Sequence, residues 1–121
     1  MKTRLHEIEL GSNDPNRSKL FYNNILELDS FVDKDELKVF NAGVPGLDFN
    51  ISKHLPAKVM VISFLTDDLQ KIMENLTENH VLFEGPEPSH LGMNCISFND
   101  PDGYLVKINQ PTSESPNWLK V

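Results

Sequence analysis

The side chains in this sequence best suited to chemistry are a lysine in one predicted strand and carboxylates in two others. Lys107 follows the turn Asn99-Asp100-Pro101-Asp102-Gly103 and lies between Val106 and Ile108. Glu7 and Glu9 share one face of the alternating run Arg4 to Leu10, and Asp48 and Asn50 share one face of Leu47 to Ile51. Carboxylates on a concave surface can receive a cationic group or take a proton from a substrate, and an ammonium can pair with an acidic group or stabilise a developing oxyanion. Glu7, Asp48 and Lys107 are therefore the candidate catalytic residues. Glu7, Glu9, Asp48, Asn50, Lys107 and His90 are the candidate ligand-binding set, with His90 reaching a pocket mouth from the loop Glu84 to His90. A plainer role is also open: Lys107 pairs with Glu7 or Asp48 and lets a cavity fold without an ion, although such a buried pair adds little net stability.

The other reactive types carry structural expectations. His6 alternates onto the strand face opposite Glu7 and reads as a satisfied structural histidine, while His54 reads as an exposed connector residue. Cys95 is the sole cysteine, so no intrachain disulfide or Cys-x-x-Cys unit exists; its strand-like surroundings suit a buried, inert thiol.

These residues need a scaffold, and the chain supplies the same one twice. Asp14 precedes Pro15, pairing an N-cap with the helical position where a missing N–H costs least. Leu20, Phe21, Ile25 and Leu28 then recur at helical spacing and are expected to be core. Strands follow around Leu37 to Phe40 and Leu47 to Ile51. Past the link Lys53 to Pro56, the nearly continuous apolar run Val59 to Leu65 predicts an interior strand. Thr66, Asp67 or Asp68 can cap a helix that buries Leu69, Ile72, Met73 and Leu76. Val81 to Phe83 reads as a short strand, Glu84 to His90 as a loop stiffened by two prolines, and Met93 to Phe98 and Gly103 to Ile108 as the last two strands.

The predicted architecture is an α+β fold of two βαβββ modules, about 4–52 and 58–110, within a single domain at 1–110. Helices can cover only one face of each small sheet. The faces bearing Glu7, Glu9, Asp48, Asn50 and Lys107 must then curve around a cavity or pack on a partner. Residues 111–121 read as a polar tail that Trp118 and Leu119 can dock.

Composition narrows the classes. With 39% hydrophobic and 24% charged residues, the 121-residue chain suits one ordinary globule. Its 18 acidic and 11 basic side chains, a net charge of −7, argue against a nucleic-acid binder. No apolar run suits a signal peptide or a membrane span, which makes the cytoplasm the expected location.

Taken together, Glu7-Ile8-Glu9-Leu10 through Asp14, Phe21-Tyr22-Asn23-Asn24-Ile25-Leu26-Glu27-Leu28 and Asp100-Pro101-Asp102-Gly103-Tyr104 resemble the glyoxalase/bleomycin-resistance/extradiol-dioxygenase superfamily, the vicinal oxygen chelate proteins. The resemblance covers roughly residues 5 to 110. It implies paired modules whose curved mixed sheet encloses a pocket, and a homodimer in which the modules pair. It also implies that metal-using members place ligands at positions matching Glu7, Asp48, Val61 and Lys107. Valine has no donor, and a protonated lysine repels a dication. The expectation is therefore a member with a degraded metal site, with no metal and no cofactor.

The leading functional expectation is a metal-independent small-molecule binding protein of the bleomycin-resistance type, taking a small organic ligand. The alternatives are a metal-independent lyase or isomerase using a cavity carboxylate with Lys107, and a structural dimer scaffold.

Overall fold

A computed structural model describes all 121 residues. The elements run β1 (Thr3–Gly11), α1 (Pro15–Leu26), β2 (Ser30–Lys34), β3 (Leu37–Asn41), β4 (Asp48–Ser52), β5 (Met60–Thr66), α2 (Leu69–Glu78), β6 (Glu84–Pro88), a 3-10 turn at His90–Gly92, β7 (Asn94–Asn99) and β8 (Leu105–Gln110). This is a mixed α+β fold with the βαβββ order occurring twice. The chain forms two compact units, Glu7–Val61 and Met1–His6 with Ile62–Val121, called here the first and second units. No helix is long and apolar enough to cross a membrane.

In the first unit the strand order is β2-β3-β4-β1. β1 and β4 are parallel, whereas β2–β3 and β3–β4 are antiparallel. The Asp14 carboxylate caps α1 by accepting from the Arg17 amide, as the Asp-Pro pair predicts. At Gly11 a Cβ would stand 1.8 Å from the Pro56 carbonyl oxygen, so the end of β1 admits no side chain.

The buried face of α1 differs from the predicted one. Leu20, Phe21 and Ile25 are 61%, 59% and 65% exposed rather than core. The inward stripe is instead Pro15, Ser18, Lys19 and Tyr22, also at helical spacing. Tyr22 meets the rings of Phe40 at 5.9 Å and Phe49 at 5.1 Å. Two stripes one residue apart differ by about 100° around a helix, and periodicity alone does not choose between them when polar residues can be satisfied inside. Here they are satisfied. Lys19 pairs with Asp33, and the fully buried Lys38 donates to Asp33 and to Asn16 Oδ1 at 2.6 Å. These bonds tie the first turn of α1 to the β2–β3 hairpin.

In the second unit the opening residues of β1 are followed by β5, β8, β7 and β6. Lys2 and Asp67 join the two chain segments: the Lys2 amide donates to Asp67 Oδ1 at 2.8 Å, and the Asp67 amide donates to the Lys2 carbonyl. Helix α2 is capped by Asp68 and buries its predicted stripe. Leu69, Ile96 and Ile108 form the core, with Ile72, Met73 and Leu76 packed against them.

The predicted strand at Val81 to Phe83 is displaced. The strand is β6, within the expected proline loop, and Val81 to Phe83 belong to no element. β6 is the edge of the sheet, where a proline lacking N–H sacrifices no ladder bond. Gly85 is required there: it has φ +99°, and a Cβ would stand 2.6 Å from the Cys95 carbonyl oxygen.

The C-terminal segment packs on the same unit. Leu119 is buried with Leu65 and Met93, Val121 lies against them, and Trp118 stays exposed. Arg4 Nε and Nη2 donate to the Lys120 carbonyl at 2.9 and 2.6 Å.

Candidate functional site

The helix-free face of the first unit follows from register. Phe40 and Phe49 are cross-strand partners against Tyr22, so their neighbours point the other way. Parallel pairing sets Glu7 beside Asp48, Glu9 beside Asn50 and Gly11 beside Ser52. Four of the six predicted ligand-binding residues thus share one face of two adjacent strands. Glu7, Glu9 and Asp48 are half-buried, while Asn50 is only 7% exposed. The Asn50 Oδ1 atom is buried without a hydrogen-bond partner. A surface with three carboxylates and an unsatisfied amide oxygen favours a donor-rich or cationic group.

The other two predicted residues belong to the second unit. Lys107 is exposed and lies opposite Ser97 in the β7–β8 ladder. Beside it on the ladder, Cys95 faces Asn109. Burial pushes the Cys95 thiol above its ordinary range, with the Lys107 ammonium acting the other way. That matches the inert thiol expected from its sequence context. His90 is exposed, with Nδ1 3.2 Å from Ser89 Oγ.

The positions that match the superfamily's metal ligands do not suit an ion. Glu7 and Asp48 offer carboxylates, but Val61 is a buried apolar side chain and Lys107 carries a positive charge. His6, on the strand face opposite Glu7, is buried.

Each unit also carries a surface groove lined by other residues. One of about 430 Å³ borders the start of α1, between Gly11, Asn13, Arg17, Phe21 and Tyr22. Another of about 490 Å³ is lined by Leu82, Phe83, Ser97, Phe98 and Leu105.

Known structures repeat this architecture. A glyoxalase/bleomycin resistance protein/dioxygenase superfamily member from Vibrio splendidus aligns with TM-score 0.67 and 18% identity over 91% of this chain and 100% of its own. Methylmalonyl-CoA epimerase from Mycobacterium tuberculosis aligns with TM-score 0.63 and 11% identity, over 91% and 89%. A variant of homoprotocatechuate 2,3-dioxygenase from Brevibacterium fuscum aligns with TM-score 0.68 and 16% identity, over 96% of this chain and 34% of that one. Identities this low speak for the fold and leave the chemistry of each protein its own. No curated protein matches the chain in sequence. The sequence profile of the Glyoxalase/Bleomycin resistance protein/Dioxygenase superfamily does match, over residues 4–108, which takes in both βαβββ modules. The chain belongs to that superfamily.

Proposed function

We propose that this protein binds a small organic molecule carrying a cationic or donor-rich group, on the helix-free face of the first unit, without a metal at the superfamily's usual ligand positions. The observation that carries this reading is the register of Glu7 with Asp48 and of Glu9 with Asn50, together with the unpartnered, buried Asn50 oxygen. Carboxylates supply the charge, and the Asn50 amide supplies direction. Lys107 and His90 remain candidates for the acidic part of a ligand and for a pocket mouth.

Calorimetric titration of chelator-treated protein with benzyltrimethylammonium and benzylguanidinium tests the reading. Saturable binding weakened at least fivefold by Asp48→Asn and by Glu9→Gln supports it. Affinity unchanged in both variants removes the site from this face.

The register of Glu7 with Asp48 also suits the enzymatic alternative, in which one carboxylate serves as general base. Turnover that survives chelation and disappears in Glu7→Gln would favour a lyase or isomerase over a binding protein.

A homodimer forms part of the same proposal. Leu20, Phe21, Ile25 and Leu26 leave α1 with a largely apolar outer surface, each more than half exposed. A second copy carries the same patch and can cover it isologously. Sedimentation should find a dimer that Phe21→Glu dissociates; a monomer at every concentration would overturn this.

A further inference from the structure

We propose that the apolar groove beside Leu82 and Phe83 is a docking site for a partner polypeptide, through a short segment that combines apolar side chains with lysine or arginine. The reading does not depend on the small-molecule site, since every residue it uses belongs to the second unit. The groove of about 490 Å³ along Leu82, Phe83, Phe98 and Leu105 does not end there. A second groove, of about 380 Å³, shares Leu82 and Phe83 with it. A third, of about 420 Å³, shares Phe83 and is bordered by Met73, Glu74 and Glu78 of α2. Together they make one surface from the side of α2 to the end of β7 and the start of β8. An extended apolar surface rimmed by polar residues is the usual mark of a protein-binding site.

The surface carries a knob on a firm base. Leu82 is 92% exposed, while Phe83 beside it packs against the core of Leu69, Ile96 and Ile108. The chain leaves α2 in a fixed direction. His80 takes the left-handed φ of 59°, and the Val81 amide donates to the Leu76 carbonyl at 2.9 Å. This closure and the anchor at Phe83 hold Leu82 outward, where a partner's apolar side chains can enclose it.

Charge decides the occupant. Glu74, Glu78 and Glu84 are exposed at the borders of the grooves, and no lysine or arginine lines any of the three. None of these carboxylates forms an ion pair. Glu74 and Glu78 stand four residues apart on α2, a like-charge spacing that destabilises a helix. Glu78 also ends the helix, where the dipole disfavours an anion. The fold gains nothing from this placement, and a partner's cation relieves both costs. The same carboxylates oppose an anionic membrane surface or a nucleic acid. Pro86 and Pro88 deprive the edge strand β6 of two backbone donors, so the partner docks through side chains rather than by extending the sheet.

The test selects a phage-displayed library of random peptides against the full chain and titrates the enriched peptides by fluorescence anisotropy. Enriched sequences should combine leucine, isoleucine or phenylalanine with lysine or arginine. Leu82→Ser should fold normally by circular dichroism and weaken their binding about tenfold or more. Glu74→Gln combined with Glu78→Gln should weaken it about fivefold and yet raise the melting temperature by about 2 °C, because the repulsion along α2 is gone. Glu36→Gln combined with Asp102→Asn removes the same charge from exposed positions outside the grooves. That pair should leave affinity within about twofold. An empty selection, enrichment of acidic peptides, affinity unchanged by Leu82→Ser, or equal losses in the two charge-removing pairs would overturn the proposal. Self-association that Leu82→Ser abolishes, with no peptide enriched, would overturn it in favour of a second copy of this chain.

Discussion

The first and second units share one topology and solve their packing in opposite ways. In the second unit α2 turns its apolar stripe inward onto Ile96 and Ile108, and Leu119 closes over Leu65 and Met93. In the first unit α1 docks through Tyr22 and a polar network around Lys38, leaving Leu20, Phe21 and Ile25 outside. The contrast extends to the sheets. The first carries Glu7, Glu9, Asp48 and Asn50 together on its helix-free face. Repeating a topology therefore does not repeat its energetics. One copy is built as a hydrophobic scaffold, and the other keeps carboxylates on its helix-free face and an apolar stripe on the outside of α1.

The widest difference should appear in the helices and cores. Leu65→Ala, at a fully buried position, should cost about 2–5 kcal/mol in urea unfolding. Phe21→Ala, on the outer face of α1, should change the stability of the monomer by no more than about 0.5 kcal/mol. Equal costs would mean that α1 packs through the stripe predicted from its periodicity. Tyr22→Ala sharpens the point, since half-burial against two further aromatic rings should make it cost about 1–3 kcal/mol. Leu119→Ala comes next, at about 1–2 kcal/mol, because the segment after β8 belongs to no strand or helix and recovers part of its loss by local opening. If Leu119→Ala were silent, the second unit's closing contact would be incidental.

Much of this arrangement was legible in sequence because the relevant signals are local. Asp14 and Asp68 cap the helices they precede, and the alternation through Leu47 to Ile51 sorts Asp48 and Asn50 from Phe49. The misses are places where distant chain decides. Tyr22 defeats the stripe at Leu20 and Phe21 because Phe40 and Phe49, from two later strands, receive it. β6 forms through Pro86 and Pro88 because its edge position asks little of their nitrogens, which no local pattern announces. Lys38 went unnoticed since a lysine in a short strand reads as solvent-facing until Asn16 and Asp33 close on it.

The smallest effect lies in that Lys38 network, and pH separates it from the hydrophobic contributions. Hydrogen bonds from Lys19 and then Lys38 hold the Asp33 carboxyl below its ordinary value of 3.8. A carboxylate lowered on folding contributes stability that is complete above its unfolded pKa and is lost as pH falls through the folded one. The contribution should be intact at pH 5 and decline below about pH 4. Asp33→Asn should lower the melting temperature at pH 5 and flatten its fall between pH 4 and 2.5; Leu119→Ala should lower it by a similar amount at both ends. Lys38→Met removes the buried cation along with its need for a partner, and should cost less at pH 5 than Asp33→Asn, which leaves Lys38 buried with its anion gone. An acid slope in Asp33→Asn identical to that of the parent would mean that the ion pairs beneath α1 carry none of the first unit's acid sensitivity.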